Sequence, residues 1–187
     1  MAIKELEQHW SKPNRMLPNS RFPLLVHRRG IPGGGEKEVA ERFKANGWYN
    51  NWRYPGIYTY AHFHSTTHEC LGAAKGWMEV EVFGRGGKRI RVEAGDVIVV
   101  PAGVSHMMTA QSDDILMVGG YPDGRDWDNI QEEHITEEAR RAAAKRIMML
   151  PIPPRDPVTG AAMQAWIDTP SSVDAELNEF RNGLDPV

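Results

Sequence analysis

The chain has 187 residues, 22 Lys and Arg against 25 Asp and Glu, and a formal net charge of −3. One domain is expected at this length, burying about 70% of its unfolded surface, and so even a charge balance leaves no footprint for nucleic acid or an anionic membrane. No apolar run approaches the ~20 residues of a membrane span, Met1–Glu5 does not open a signal peptide, and the single cysteine, Cys70, makes no internal disulfide, which fits a reducing cytoplasm.

Residues 1–20 are polar, carry Pro13, Pro18 and Asn19, and read as an arm that needs other surfaces to order it. Phe22–Arg28 suits a strand, with Pro23 near its start where a missing donor is tolerated. Gly33–Gly35 is a loop without the Lys-Ser/Thr that would follow in a phosphate-binding loop. Glu36–Asn46 reads as a short amphipathic helix with Val39, Ala40 and Phe43 on one face, acids in its first turn and Gly47 just past its end.

From Gly56 to Phe63 the chain has the two-residue beat of a strand. On that beat Tyr58, Tyr60, His62 and His64 share one face, and Ile57, Thr59, Ala61 and Phe63 share the other. Imidazoles at i and i+2 stand about 7 Å apart and can converge on one ion at roughly 2.0–2.1 Å. Alone, a His-x-His pair is more often a surface or hydrogen-bonded pair, but His68, Glu69 and the later His106 enlarge the set. Spacing leaves the third ligand open. On an unbroken strand Glu69 faces away from His64, whereas His68 keeps its face, so His62, His64 and His68 form a competing site. A break or bulge at Ser65–Thr67 would reset the parity and return Glu69.

Cys70 reads as a packed core thiol. Strands are expected at Leu71–Gly76, Trp77–Phe83, Lys88–Glu93, Val97–Val100, His106–Ala110 and Ile115–Tyr121, separated by Gly/Pro turns. Such spacing suggests a sandwich or barrel without choosing between them. Arg85, Lys88, Arg89 and Arg91 read as a solvated hairpin tip. Asp126 and Asp128 read as a solvated loop, with an acid or base at a pocket mouth as the alternative. Thr136 is an N-cap for a helix with Ile135, Ala139, Ala142, Ala143, Ile147 and Leu150 on one face, stopped by Pro151, Pro153 and Pro154. The tail adds Trp166, expected to dock on the barrel or a second subunit, and a polar helix-like piece, Val173–Arg181.

Gly56, His62, His64, Glu69 and Gly76 resemble the first cupin motif, Gly-x5-His-x-His-x4-Glu-x6-Gly. Gly95, Pro101, Gly103 and His106 resemble the second, Gly-x5-Pro-x-Gly-x2-His-x3-Asn, with Ala110 in place of its final Asn. His64–Glu69, Tyr121–Asp126 and Asp156–Val158 are further similar to the YjlB-like cupins, a group that brings no settled reaction with it.

The resemblance implies an all-β core: a double-stranded β-helix, or jelly-roll barrel, at 21–122, with the short helix at 36–46 and a C-terminal helical extension at 123–187. It implies His62, His64, Glu69 and His106 as ligands of one divalent transition metal (Fe, Mn, Ni, Co or Zn), with His68 turned outward. The set holds no thiolate, so a closed structural zinc site is disfavoured. In octahedral geometry four protein ligands leave two positions for Lewis-acid or dioxygen chemistry. Tyr58, Tyr60 and Met108 are assigned to the pocket.

The expected function is that of an enzyme on a small oxygen-bearing substrate, a dioxygenase first, an isomerase or lyase next. The alternatives are a non-catalytic small-molecule-binding or storage cupin with a structural metal, and a metal-free sugar epimerase, which the full ligand set argues against. No helix-turn-helix signature accompanies it, and no general base is identified. A cytoplasmic homodimer is expected, paired through a sheet face or the first twenty residues.

Overall fold

Val97, Ile98, Val99 and Val100 are apolar at consecutive positions because both faces of their strand are buried. The computed structural model describes residues 5–11 and 16–170; the expected piece at 173–181 lies outside the described residues. Its strands are β1 (Glu5–His9), β2 (Leu24–Arg28), β3 (Trp48–Tyr49), β4 (Arg53–Tyr54), β5 (His62–Phe63), β6 (Glu69–Lys75), β7 (Trp77–Val82), β8 (Lys88–Glu93), β9 (Val97–Val100), β10 (His106–Gln111), β11 (Leu116–Pro122) and β12 (Ile130–Gln131). The helices are α1 (Glu36–Ala45), α2 (Glu137–Met148) and α3 (Gln164–Ile167).

Two antiparallel sheets result. One runs β1-β2-β9-β6-β11-β3, with β4 also on β11; the other runs β12-β5-β10-β7-β8. Leu24, Val26, Leu71, Ile98 and Met117 of the first sheet pack against Met78, Val80, Val82 and Ile90 of the second. The outer face of the first sheet, carrying Leu25, Cys70, Val97, Val99 and Val118, is covered by Val39, Ala40 and Phe43 of α1 together with Trp48 and Trp166. At its β5 end the second sheet is covered outside too, Phe63 packing with Leu17 and with Ala143 of α2. Strand β8 is covered on one side only and so alternates, with Ile90 and Val92 buried between exposed Arg89, Arg91 and Glu93. This is the all-β jelly-roll core expected above.

Some local expectations change. Part of the N-terminal arm is strand β1, paired with β2 from Glu5↔Arg28 to His9↔Leu24. This edge strand has one apolar residue, Leu6, itself 41% exposed, and so shows no buried face in its sequence. The strand expected from residue 56 is confined to His62–Phe63, because the chain bends at Pro55 and Gly56, with Gly56 at φ +103°, and again at Thr59 and Tyr60. Three of the four charges of the basic hairpin tip are matched, Arg85 by Glu133, Arg89 by Glu81 and Arg91 by Glu93, and Lys88 donates to His9 Nδ1.

The C-terminal segment docks on the barrel of its own chain. Trp166 stacks on Phe22 at 4.8 Å and donates its Nε1–H to the Pro23 carbonyl at 2.9 Å. Asp156 accepts from His27 Nε2 at 2.8 Å and from the amides of Val158 and Thr159 at 2.9 Å. Thr136 caps α2 by accepting from the Ala139 amide. No helix among the described residues is long and apolar enough to cross a membrane.

Candidate metal centre

Pairing of β5 with β10 sets His62 directly opposite His106, with ring centroids 4.3 Å apart. His64 follows at the end of β5, its ring 5.4 Å from that of His62 and 5.6 Å from that of His106. The strand stops there because Asp128 gathers the next donors: its carboxylate accepts from the amides of Ser65 and Thr66, at 2.6 and 3.2 Å, and from the Ser65 hydroxyl. The turn before β10 is tied to the same point, the Gly103 amide donating to the His64 carbonyl at 2.8 Å. Gly103 sits at φ +90°, where an added Cβ would lie 2.3 Å from the Asn19 carbonyl oxygen, so only glycine fits.

Residues 65–68 are therefore not strand, and β6 begins at Glu69. Glu69 shares the inward face of β6 with Leu71 and Ala73. Its Oε2 lies 3.4 Å from His64 Nε2 and 3.3 Å from His106 Nε2. His68 points elsewhere, buried rather than facing solvent: it packs on Phe22 and Trp166 and its Nδ1 accepts from the Ala102 amide at 2.9 Å.

The three histidines at the centre share one tautomer. Nδ1 of His62 faces the Tyr60 carbonyl at 3.0 Å, that of His106 the Val104 carbonyl at 3.0 Å, and that of His64 the Asp128 carbonyl. A carbonyl oxygen can only accept, so each Nδ1 carries a proton, and in the neutral ring Nε2 is left with the lone pair that a metal would take. Ligand atoms of His62, His64 and His106 lie within 4.8 Å of one another, an arrangement that could hold a metal ion. Adjacent donors on one ion stand about 3 Å apart, close to the separations of Glu69 from His64 and His106. Three imidazoles and a carboxylate without a thiolate fit a divalent transition metal.

Glu69 is itself held. Its Oε1 accepts from the Tyr121 hydroxyl at 2.9 Å, and that hydroxyl accepts from Trp52 Nε1–H at 2.9 Å. Trp52 reaches it by lying across Gly119, where a Cβ would sit 2.0 Å from the indole. Burial works to protonate Glu69, but the charges and hydrogen bonds of His64 and His106 outweigh it and hold the carboxyl well below the usual range. Burial likewise opposes charge on His64, and Glu69 outweighs it and raises that pKa. His62 is pushed down to about 3 by burial, then by the charges of His106 and His64, and is neutral at pH 7. Burial and the Glu69 charge push the Tyr121 phenol up, so it stays a donor.

A cavity of about 280 Å³ opens from this cluster. Tyr58 lines it. Tyr60 and Met108 do not: Tyr60 stacks behind Tyr58 at 4.8 Å and accepts from Asn129, and Met108 packs beside Gly56 against the inner core. Sequence reasoning missed the roles of Tyr121, Trp52, Trp127 and Asp128. For Asp128 a signal existed, since the Ser65-Thr66 donors at the strand's end require an acceptor.

A family model described as a cupin domain matches residues 54–118. The chain is 31% identical over 169 residues to the protein named "Uncharacterized protein YjlB" of Bacillus subtilis (strain 168), covering 88% of this chain and 98% of that one. Among solved structures, the S161A mutant of Bacillus subtilis oxalate decarboxylase is 18% identical, over 73% of this chain and 33% of that chain, with a TM-score of 0.39. Acireductone dioxygenase from Bacillus anthracis, with a cadmium ion in its active centre, is 20% identical over 50% of this chain and 62% of that chain, with a TM-score of 0.38. The chain spans less than two thirds of each of these solved chains.

Proposed function

The chain belongs to the cupin family that includes YjlB, and from that premise we propose that His62, His64, Glu69 and His106 hold one divalent transition metal. We propose further that the protein is an enzyme acting on a small oxygen-bearing substrate, as a dioxygenase ahead of an isomerase or lyase. The observation that carries the proposal is the shared tautomer: three buried rings each spend Nδ1–H on a main-chain carbonyl and keep Nε2 for a common point. Such outer partners fix ring orientation and raise ligand basicity at metal sites.

When bound, a metal of this kind supplies Lewis acidity or positions for dioxygen. The chain supplies the rest. Glu69 brings one negative charge, and Tyr121 with Trp52 fixes the orientation of its carboxylate. His62, His64, Glu69 and His106 are themselves buried, which strengthens electrostatic interactions among them. Tyr121 holds its proton on Glu69 and acts as a positioning group.

Anaerobic addition of nitric oxide to the Fe(II)-loaded protein tests for an open position. A new paramagnetic signal is expected. A silent spectrum would mean a closed ion, and would favour a non-catalytic binding protein with a structural metal.

A further inference from the structure

Polar and apolar groups are segregated in the cavity. The floor is His62, His64, Glu69 and His106; the walls are Trp52, Tyr54, Ile57, Tyr58, Tyr121 and Trp127. Tyr54, Tyr58 and Trp127 are 58%, 47% and 38% exposed, so three large aromatic side chains stand in water around one mouth. Apolar surface grouped this way around a cleft marks a binding site. Two of the rings are held by stacking: Trp127 lies on Tyr121 at 4.6 Å and 11°, and Tyr58 on Tyr60 at 4.8 Å and 21°.

The walls offer no partner for a remote charge. Arg53 is the sole Lys or Arg among the described lining residues. It stands opposite Val118 in the β4–β11 pair, on the outer face that α1 covers, and its Nε lies 3.9 Å from Glu36 of α1. Residues paired across a ladder project to the same side, so its guanidinium is turned from the cavity. The Tyr121 hydroxyl is already engaged by Glu69 and Trp52. The remaining polar groups of the walls, the Tyr54 and Tyr58 hydroxyls and the Trp127 N–H, are uncharged. A ligand's metal-binding oxygens therefore have their partners at the floor, and most of its remaining surface meets aromatic faces. At about 280 Å³ the space lies just under the roughly 300–1,000 Å³ of pockets for drug-sized ligands. A single substituted ring fits; a nucleotide or sugar phosphate would have its phosphate unmatched.

We infer that this site takes a planar, single-ring ligand with two adjacent oxygen donors at one edge, the oxygens toward the metal and the ring between the aromatic walls. The inference rests on the metal centre proposed above.

Two chelators with the same oxygen pair separate the contributions. Benzohydroxamate carries a ring and acetohydroxamate a methyl group. Calorimetric titration of the Co(II)-loaded, full-length protein, its cobalt content measured first, should give about tenfold or tighter binding of benzohydroxamate. Trp127→Ala, and independently Tyr54→Ala, should bring the benzohydroxamate affinity toward that of acetohydroxamate with cobalt content retained. Equal affinity of the two chelators for the loaded wild type, or a ring preference intact in both variants, would overturn the ring-binding site and leave the metal centre standing. A wild-type chain that takes up no cobalt would overturn the metal centre and this inference together.

Discussion

Asp128 serves the candidate centre twice. Its side chain collects the donors of Ser65 and Thr66 and so ends β5, and its main-chain carbonyl takes Nδ1–H of His64. Arg146 of α2 steadies the same corner by donating to the Ser65 hydroxyl at 2.8 Å. Tyr121 does for Glu69 what the carbonyls do for the imidazoles. Tyr121→Phe keeps the ring stacked under Trp127 and removes one hydroxyl; we predict a fall in metal affinity of about 10–100-fold, read by competition against a chelating dye. An unchanged affinity would mean that the Tyr121 hydrogen bond does not set Glu69. Tyr121 was not legible in the sequence as part of the site, and Asp128 only as a loop acid that could reach a pocket mouth, not as the acceptor that ends β5. Asp128 reaches Ser65 across 63 positions and Tyr121 reaches Glu69 across 52, and no local periodicity records such contacts.

Between elements, the decisive feature is the break at residues 65–68. Regular alternation from β5 would have put His68 inward and Glu69 out; the break restarts the count, and β6 opens with Glu69 facing His64 and His106. Spacing could pose that choice but not resolve it, because a non-strand interruption has no length of its own. Burial pushes His68 down to about 3, which suits its place between Phe22 and Trp166. His68→Ala should cost about 2–4 kcal/mol, from lost packing and an unpaired Ala102 amide, while metal content stays at the wild-type level. Urea unfolding and metal analysis on the same sample check both halves.

The pin at the C-terminal segment gives a pH test. Burial works to raise the Asp156 pKa, but the hydrogen bond and charge of His27, with the amides of Thr159 and Val158, outweigh it and hold the carboxyl below its usual range. A folded-state value below the unfolded ~3.9 means that the stabilisation is full above about pH 4 and is lost as pH falls through the folded value. The margin of wild type over Asp156→Asn in urea unfolding should therefore narrow below about pH 4. A margin constant from pH 7 to 3 would contradict the assignment.

At the scale of the whole molecule, coverage decides where chemistry can sit. One sheet is buried on both faces, by the second sheet inside and by α1, Trp48 and Trp166 outside, and the imidazoles and Glu69 sit where the two inner faces meet near β5 and β10. Much of this was readable: the unbroken apolar run at 97–100 and the alternation at 88–93 reflect two-sided and one-sided burial. Strand β1 was not, since its pairing depends on the open edge of β2 and not on its own residues. An ion that binds only the folded chain adds about 2.7 kcal/mol at a hundred times its Kd, so metal removal should also lower Tm. The most direct measurement is metal analysis of protein purified without chelator, for wild type and His62→Ala side by side. Close to one transition metal per wild-type chain and almost none in a folded His62→Ala chain are expected; a His62→Ala chain that remains fully loaded would contradict the four-residue centre.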